Sequence, residues 1–254
     1  MLLVIDVGNT NVVFALFEGE GLALEWRYET SLAGSRSALR KTITDNISGH
    51  SVSGAILSSV VPWVNPLLSA AVEQATGQHL KIIGEGGVAP AARVAIDKPG
   101  DVGHDRLVNA DAAFALYGGP VIVVDFGTAT TFDIIGPDGA YEGGVIAPGI
   151  QLSLKALSDA AAKLPELTVA PPASGRVTGR NTKDAMLSGI YWGYVGLIEG
   201  LIKRLRQENY VGARVIATGG LAPLFADATV LIEDVRGDLT LQGLRLIYER
   251  LANS

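Results

Sequence analysis

The chain has 254 residues and a formal net charge of −6, and 48% of its residues are hydrophobic against 18% charged. This composition excludes a disordered chain, because it supplies enough apolar surface for a core, and the acidic balance argues against a nucleic-acid partner held by the overall field. The absence of cysteine excludes disulfides, thiolate metal sites and cysteine nucleophiles, and it suits a reducing compartment.

The N-terminal apolar run is short, because Asp6 follows only five residues. A secretory signal peptide needs a longer apolar stretch behind basic residues, and a spanning helix needs about 18 apolar residues together. We therefore expect a cytoplasmic protein with no membrane partner.

The first half of the chain predicts a three-strand meander followed by alternating helices and strands. The meander strands are expected over Leu2–Val7, Val12–Phe17 and Leu22–Thr30, which are short, apolar or alternating runs separated by turn residues. Helical spacing, prolines and glycines predict the remaining elements: helices over Ser35–Ile47, Pro62–Ala75 and Asp105–Tyr117, strands over Gly54–Ser59 and Leu80–Ile83, and a loop over Gly84–Gly100.

The second half repeats this pattern. The segment Leu3–Thr10 matches Ile122–Ala129 at a separation of 119 residues, and Ala55–Pro62 resembles Val215–Pro223. Strand–turn–helix units are common in α/β proteins, but two echoes in the same order favour an internal duplication. The predicted halves are residues 1–117 and 118–254, and the second contains these further elements: strands over Val121–Val124, Thr131–Ile135 and Ala140–Ala147, and helices over Leu152–Leu164 and Lys183–Gln207, the last capped by Asn181-Thr182.

The glycine excess, 31 residues without a Gly-X-Y period, indicates turns, phosphate loops and close packing. Four glycines of the long helix share one face: Gly189, Gly193, Gly196 and Gly200. Because each weakens a helix by about 1 kcal/mol relative to alanine, they indicate close approach of another element. That element is either the chain's own sheet or a second subunit.

The motif Asp6-Val7-Gly8-Asn9-Thr10-Asn11 ends the first strand. Such a turn can aim backbone N–H groups at phosphate oxygens, and Asp6 offers a hard oxygen for Mg²⁺. A plain hairpin turn explains the same residues. A second copy, Asp125-Phe126-Gly127-Thr128, favours the functional interpretation, because two such turns can face each other across a cleft.

A third motif, Gly103–Asn109, starts an otherwise apolar helix with Asp105 and Arg106. The helix dipole accounts for an acidic residue in the first turn but not for the arginine. Arg106 can hold a carboxylate or phosphate through two hydrogen bonds. Asp105 can accept the proton of a hydroxyl that attacks the γ-phosphate of ATP.

Together these motifs resemble those of the type III pantothenate kinases, in the acetate and sugar kinase/heat-shock/actin superfamily. The matching segments run along the whole chain: Asp6–Asn11, Gly103–Asn109, Asp125–Thr131, Gly143–Gly149, Asn181-Thr182 and Thr218–Gly220. The resemblance implies an α/β fold of duplicated actin-like (ribonuclease H-like) halves. Each half is a mixed sheet that opens with a three-strand meander and is flanked by helices, and a nucleotide cleft lies between the halves.

The resemblance also implies an activity, which is ATP-dependent phosphorylation of the primary hydroxyl of pantothenate, the first step of coenzyme A synthesis. It implies Mg²⁺, a monovalent cation such as K⁺ or NH₄⁺, and a homodimer. Two alternatives stay open: a kinase for another small hydroxy acid, and a non-catalytic accessory or regulatory relative. The second is disfavoured, because such a relative is expected to lose Asp105, Asp6 or Asp125, and all three are present.

Residue by residue, the resemblance makes Asp105 the general base and Asp125 the monovalent-cation ligand. Thr128 is implied as an ATP contact and Thr182 as a substrate contact. The remaining implied sites are the pantothenate segment Gly103, His104, Asp105 and Arg106, the phosphate loop Asp6, Val7, Gly8, Asn9, Thr10, Asn11, Val12 and Val13, and the adenosine turn Gly219 and Gly220.

Two positions depart from the family pattern. His104 stands where the family usually has alanine, and it can touch substrate, alter the acidity of Asp105 or face solvent. Ile96 stands where some members carry an aromatic residue near the substrate. Finally, bulky substitutions of the loop glycines are expected to impair the use of ATP with little loss of fold: Gly8, Gly127, Gly219 and Gly220.

Overall fold

The computed structural model describes residues 1–160, 167–173, 175–208 and 210–253, which form two five-stranded mixed sheets and seven α-helices. The strands are β1 Leu2–Val7, β2 Asn11–Glu18, β3 Gly21–Glu29, β4 Gly54–Ser59, β5 Leu80–Ile82, β6 Val121–Phe126, β7 Ala129–Ile135, β8 Tyr141–Pro148, β9 Arg214–Thr218 and β10 Asp234–Val235. The helices are α1 Arg36–Asn46, α2 Asn65–Thr76, α3 His104–Tyr117, α4 Ile150–Ala160, α5 Thr182–Glu208, α6 Ala222–Ala226 and α7 Leu239–Ala252.

The two sheets have the same topology. Their strand orders are β3-β2-β1-β4-β5 and β8-β7-β6-β9-β10. In each, the first strand of the half pairs antiparallel with the second strand and parallel with the fourth. The predicted duplication and the actin-like fold class are therefore confirmed, whereas the nucleotide cleft between the halves stays a prediction.

The chain forms two compact units, Met1–Leu116 together with Asp238–Ser254, and Tyr117–Gly237. The chain passes from the first unit to the second between Leu116 and Tyr117. The predicted second half, 118–254, differs from the second unit by helix α7, which belongs to the first. The order of elements along the chain could not indicate that α7 packs with the first unit.

In the first unit, the central strands β1 and β4 are buried on both faces because they are apolar at successive positions, whereas β3 is largely exposed. Leu3 and Ile5 of β1 belong to a core cluster with Leu39 of α1 and Leu68 of α2. A separate cluster covers the opposite face and joins the sheet to α3 and α7: Val4, Ala15, Phe17, Ile56, Val108, Leu241, Leu244 and Ile247 are among its members.

In the second unit, the core lies between the sheet and helix α5. Ile122 and Val124 of β6 cluster with Ile198 and Ile202 of α5 and with Phe225 of α6. Among the described residues, α5 alone is long and apolar enough, by length and composition, to cross a membrane. The core helix of a globular unit has the same length and composition, and α5 contributes Ile198 and Ile202 to the core of this unit.

Most of the predicted elements are present with ends shifted by one to three residues, as is usual for helix and strand ends. Pro62 opens a single 3₁₀ turn, Pro62–Val64, before α2 rather than the helix itself. The last described residue of α4 is Ala160, so the predicted end at Leu164 lies outside the described residues. Helix α7 was not predicted, although apolar residues recur in it at helical spacing.

The glycine face of α5 does not pack against the chain's own sheet. A Cβ added at Gly189, Gly193 or Gly196 would meet no atom of the described residues within 4 Å, and one at Gly200 would approach only Arg204 Nη1, at 3.2 Å. The two explanations that the sequence left open therefore differ in support: the described residues show no close packing of this face within the chain.

Candidate active site

The first predicted phosphate loop is a closed turn between β1 and β2. The Gly8 amide donates to the Asn11 carbonyl at 2.9 Å, and the Thr30 amide donates to the Thr10 carbonyl at 3.0 Å. Thr30 Oγ1 also donates to the Gly8 carbonyl at 2.8 Å. Asn9 and Thr10 are exposed at the tip. The loop is thus fixed from below while its tip stays accessible to a ligand.

Asp6 lies at the carboxyl end of β1, between Val13 of β2 and Ser58 of β4. Because side chains alternate along a strand, Asp6 shares a sheet face with Val4, and that face is the one covered by α3 and α7. Helix α3 begins with His104 and Asp105. Asp6 and Asp105 therefore belong to the same side of the first sheet.

The Asp105 side chain folds back over the start of α3. A Cβ added at Gly103 would lie 2.5 Å from Asp105 Oδ1, which is far closer than carbon and oxygen approach without a bond. Glycine at position 103 therefore makes room for the carboxylate. Arg106, which follows, is half-buried, with its Nη2 nitrogen inside the protein.

His104 contacts the chain at Gly84. His104 is exposed, but a Cβ added at Gly84 would lie 2.2 Å from the His104 ring atom Cε1. Gly84 also has a φ of +90°, a conformation that favours glycine. The imidazole thus packs the first turn of α3 on the turn that follows β5, a role that the sequence did not suggest.

Asp111 anchors the loop that leads to Ile96, and sequence reasoning missed it. Its carboxylate accepts hydrogen bonds from the amides of Ala91 at 2.6 Å and Ala92 at 2.7 Å. Arg250 of α7 lies 3.4 Å from the same carboxylate. The Asp111 side chain is only 7% exposed. In the sequence, the signal for such a role was an acidic residue in the middle of an apolar helix.

Asn109, the last residue of the matching segment in α3, is part of the core rather than an accessible ligand group. It is 2% exposed, and its Oδ1 accepts a hydrogen bond from Thr240 Oγ1 of α7 at 2.7 Å. Helix α7 therefore supports α3, which carries Asp105 in its first turn.

The second loop has the same design with one residue fewer. The Gly127 amide donates to the Ala129 carbonyl at 3.0 Å, and the Gly149 amide donates to the Thr128 carbonyl at 3.1 Å. A Cβ at Gly149 would lie 2.2 Å from that Thr128 oxygen. The glycine that ends the Gly143–Gly149 motif therefore lets the backbone after β8 brace this loop.

Asp125 takes the place in the second unit that Asp6 has in the first. It lies between Thr131 of β7 and Thr218 of β9. A Cβ at Gly219 would lie 2.8 Å from Asp125 Oδ1 and 2.6 Å from the Phe126 carbonyl oxygen, and Gly219 has a φ of +88°. The structure thus brings the predicted adenosine turn directly against the predicted cation ligand.

Tyr194 of α5 supports the second loop from the opposite face of the sheet. Its hydroxyl is hydrogen-bonded to Thr130 Oγ1 and, at 3.0 Å, to the Pro148 carbonyl oxygen. Burial raises the pKa of Tyr194, so it stays a neutral hydroxyl. Strands β7 and β8 are thereby fixed to the core helix next to the loop.

Thr182 is the exposed first residue of α5. The Asp184 amide donates to Asn181 Oδ1 at 2.9 Å, and Asn181 Nδ2 donates to Asp184 Oδ2 at 2.8 Å. This reciprocal pair is a helix N-cap, so the predicted cap is confirmed. The substrate role of Thr182 stays a prediction.

The carboxylates fit a cation that is shared with a substrate. Among the described residues, no group of three or more His, Cys, Asp or Glu side chains could by itself hold a metal ion. Mg²⁺ is usually bound through one or two carboxylates together with substrate phosphates. Asp6 and Asp125, each beside a loop of accessible backbone, are donors of that kind.

Solved structures with the same fold include a Baf family transcriptional activator from Campylobacter jejuni, with a TM-score of 0.60 at 19% identity over 99% of this chain and 100% of that one. Another is a 2-dehydro-3-deoxygalactonokinase from Sinorhizobium meliloti, with a TM-score of 0.60 at 14% identity over 99% of this chain and 97% of that one. At these identities the likeness concerns the fold alone.

Sequence relatives are much closer. A protein of Paramagnetospirillum magneticum named type III pantothenate kinase is 48% identical over 98% of this chain and 97% of its own length. One of Rhodospirillum rubrum with the same name is 46% identical over 98% of both chains. The sequence profile named type III pantothenate kinase matches residues 2–204. The chain therefore belongs to the type III pantothenate kinase family.

Proposed function

We propose that this protein transfers the γ-phosphoryl group of ATP to the primary hydroxyl of pantothenate, giving 4′-phosphopantothenate for coenzyme A synthesis in the cytoplasm. The observation that carries the proposal is the relationship to type III pantothenate kinases over nearly the full chain. The presence of Asp6, Asp105 and Asp125 in the positions described above supports catalysis rather than an accessory role.

A substrate panel tests the proposal against its closest alternative. Purified protein is given ATP, Mg²⁺ and K⁺ with pantothenate or with other small hydroxy acids, and ADP release is followed in a coupled assay. Release with pantothenate well above every other acceptor supports the proposal. A different preferred acceptor would indicate another kinase of the same fold, and no release with any acceptor would favour an accessory protein.

Asp105 and Arg106 have separate roles in the proposed reaction. Asp105 accepts the proton of the pantothenate hydroxyl while the hydroxyl oxygen bonds to the γ-phosphorus, and the bond from that phosphorus to the bridging oxygen breaks to release ADP. Arg106 holds the carboxylate of pantothenate, since a guanidinium fits a carboxylate through two hydrogen bonds. Thr182 is a further substrate contact in this proposal.

The two loops bind the triphosphate and its cations. Residues Asp6–Val13 and Thr128 offer backbone and side-chain donors to phosphate oxygens, and Gly219 and Gly220 leave room for the adenosine. Asp6 would hold Mg²⁺ and Asp125 the monovalent cation. When bound, these ions neutralise phosphate charge, which is a large part of catalysis when the transition state is loose.

Replacing K⁺ by Na⁺ at constant Mg²⁺ and ionic strength is expected to lower the turnover of the wild-type protein several-fold. The reason is that Na⁺ is smaller and suits an oxygen site built for K⁺ poorly. In Asp125→Asn the difference between the cations should disappear, because the charged ligand is gone. Equal turnover of the wild-type protein in K⁺, NH₄⁺ and Na⁺ would remove this role from Asp125.

The protein is proposed to act as a homodimer, with the glycine face of α5 in the subunit contact. Gly189, Gly193 and Gly196 have open space above their Cα atoms, and exposed glycines allow two helices to approach closely. Because no part of the described chain packs closely on this face, a second subunit is the proposed partner.

Gly196→Leu is expected to convert the dimer into a folded monomer. The leucine has space within its own chain and removes a helix-weakening glycine, so the free energy of unfolding of the monomer should not fall. The oligomeric state is measured by sedimentation velocity. Gly34→Leu, at another glycine with open space, is the matched control. A dimer that persists in Gly196→Leu would place the contact elsewhere.

A further inference from the structure

Ser58 has a buried hydroxyl that no hydrogen bond accounts for. The residue, near the end of β4, is 0% exposed. Its Oγ has no hydrogen-bond partner among the described residues. Buried hydroxyls nearly always have a partner, because removing one from water without a new bond carries a penalty. An alanine would fill the same position without that penalty, so the hydroxyl needs an explanation.

The position of Ser58 in the sheet supplies one. Ser58 lies directly opposite Asp6 in the parallel pairing of β1 with β4. Neighbouring strands are about 4.8 Å apart and paired residues point to the same face, so the side chains of Ser58 and Asp6 project from the same face of the sheet at adjacent positions. Because the hydroxyl is closed off from solvent, a partner has to come from the protein. The register of β1 against β4 makes Asp6 the adjacent acidic side chain that can accept this hydrogen bond.

The duplicated fold repeats this arrangement. In the second unit, Thr218 lies opposite Asp125 in the parallel pairing of β6 with β9, and Thr218 is only 3% exposed. Each half therefore places a buried hydroxyl residue on the fourth strand beside the aspartate that ends the first strand. Such a repeat at the two proposed cation ligands favours a role in the site over simple filling of space.

We infer that Ser58 is a positioning residue for Asp6. Its Oγ–H donates to one oxygen of the Asp6 carboxylate when the loop engages Mg²⁺ and nucleotide, which leaves the other oxygen directed towards the cation. The inference rests on the proposed role of the Asp6 loop in nucleotide binding. It assigns to β4 a part in that site that neither the motifs nor the loop itself indicated.

The test is Ser58→Ala, with the affinity for a non-hydrolysable ATP analogue measured by calorimetry at several Mg²⁺ concentrations. We expect affinity in Mg²⁺ to fall about tenfold, the size of a hydrogen bond to a charged group. The KM for pantothenate should change little. The midpoint of thermal unfolding should stay the same or rise, because an unused buried hydroxyl is removed.

Two further variants complete the design. Ser58→Thr keeps the hydroxyl and copies Thr218, so it should restore affinity. Ser53→Ala makes the same change at an exposed serine just before the other end of β4 and should bind as the wild-type protein does.

The outcomes separate this inference from the proposed function. A wild-type protein that does not bind the analogue would overturn the proposed function, and with it the role of Ser58. A wild-type protein that binds, together with a Ser58→Ala variant of equal affinity, would overturn the role of Ser58 alone. A Ser58→Ala variant that loses stability but keeps its affinity would show that the serine only fills space, which also contradicts the inference.

Discussion

Asp105→Asn is expected to lower the turnover of pantothenate by roughly 10²- to 10⁴-fold, the range that a general base contributes. The amide has nearly the same size as the carboxylate but cannot accept the hydroxyl proton. Gly103 leaves room for the carboxylate or the amide at position 105, because a Cβ at position 103 would lie only 2.5 Å from Asp105 Oδ1. The fold and the KM for ATP should therefore change little. The measurement is kcat in a coupled ADP assay.

Asp101→Asn is the matched control for this variant. Asp101 is an exposed carboxylate in the single 3₁₀ turn just before α3, so its loss changes the local charge equally without removing the base. Turnover in the control should stay within a few-fold of the wild-type value. Turnover in Asp105→Asn that matches this control would contradict the assignment of Asp105 as the base.

Gly219→Ala is expected to damage both the fold and the site. A residue other than glycine at a φ of +88° is strained by about 1–3 kcal/mol. The added Cβ would also collide with the Phe126 carbonyl and with Asp125 Oδ1, at 2.6 and 2.8 Å. Urea denaturation should show a lower free energy of unfolding. Kinetics should show a higher KM for ATP and a weaker response to K⁺, because Asp125 is displaced.

Gly220→Ala separates these effects, since it makes the same change one residue later. There the φ is not in the left-handed region and no atom of the described residues lies within 4 Å of an added Cβ. Its free energy of unfolding should match that of the wild-type protein. If Gly219→Ala were equally stable, the close approach of Gly219 to Asp125 would be contradicted.

At Gly219 this contrast corrects the expectation that bulky substitutions of the loop glycines impair the use of ATP with little loss of fold. A Cβ at Gly8 or Gly127 would lie 3.4 Å from a backbone oxygen, an ordinary contact, whereas Gly219 is required by the backbone itself. The sequence shows each of these residues only as a glycine beside a strand. The left-handed backbone conformation that distinguishes Gly219 from the other three glycines depends on how β6 and β9 pair.

Local signals predicted most elements, because each strand and helix carries its own periodicity and turn residues. The duplication was also visible, since the strand ends at Asp6 and Asp125 have similar turns after them. Contacts between distant segments were not visible. The Asp111 bonds to the loop at Ala91, and the return of α7 to the first sheet, depend on packing across the chain that no local pattern encodes.

Ser58 shows the same limit within the site. In the sequence it is one small residue in an apolar strand, and only the register of β1 against β4 places it opposite Asp6. Similarly, the glycine face of α5 could be recognised from its spacing. Whether it packed inside the chain could be decided only from the space around it.

The most direct test of the central claim is to identify the product of the purified wild-type protein. The protein is incubated with ATP, Mg²⁺, K⁺ and pantothenate, and the mixture is analysed by mass spectrometry and ³¹P NMR. We predict equal amounts of ADP and 4′-phosphopantothenate, with the phosphate on the primary hydroxyl. ADP formed without phosphopantothenate, or neither product at full nucleotide and cation concentrations, would contradict the assignment of this chain as a pantothenate kinase.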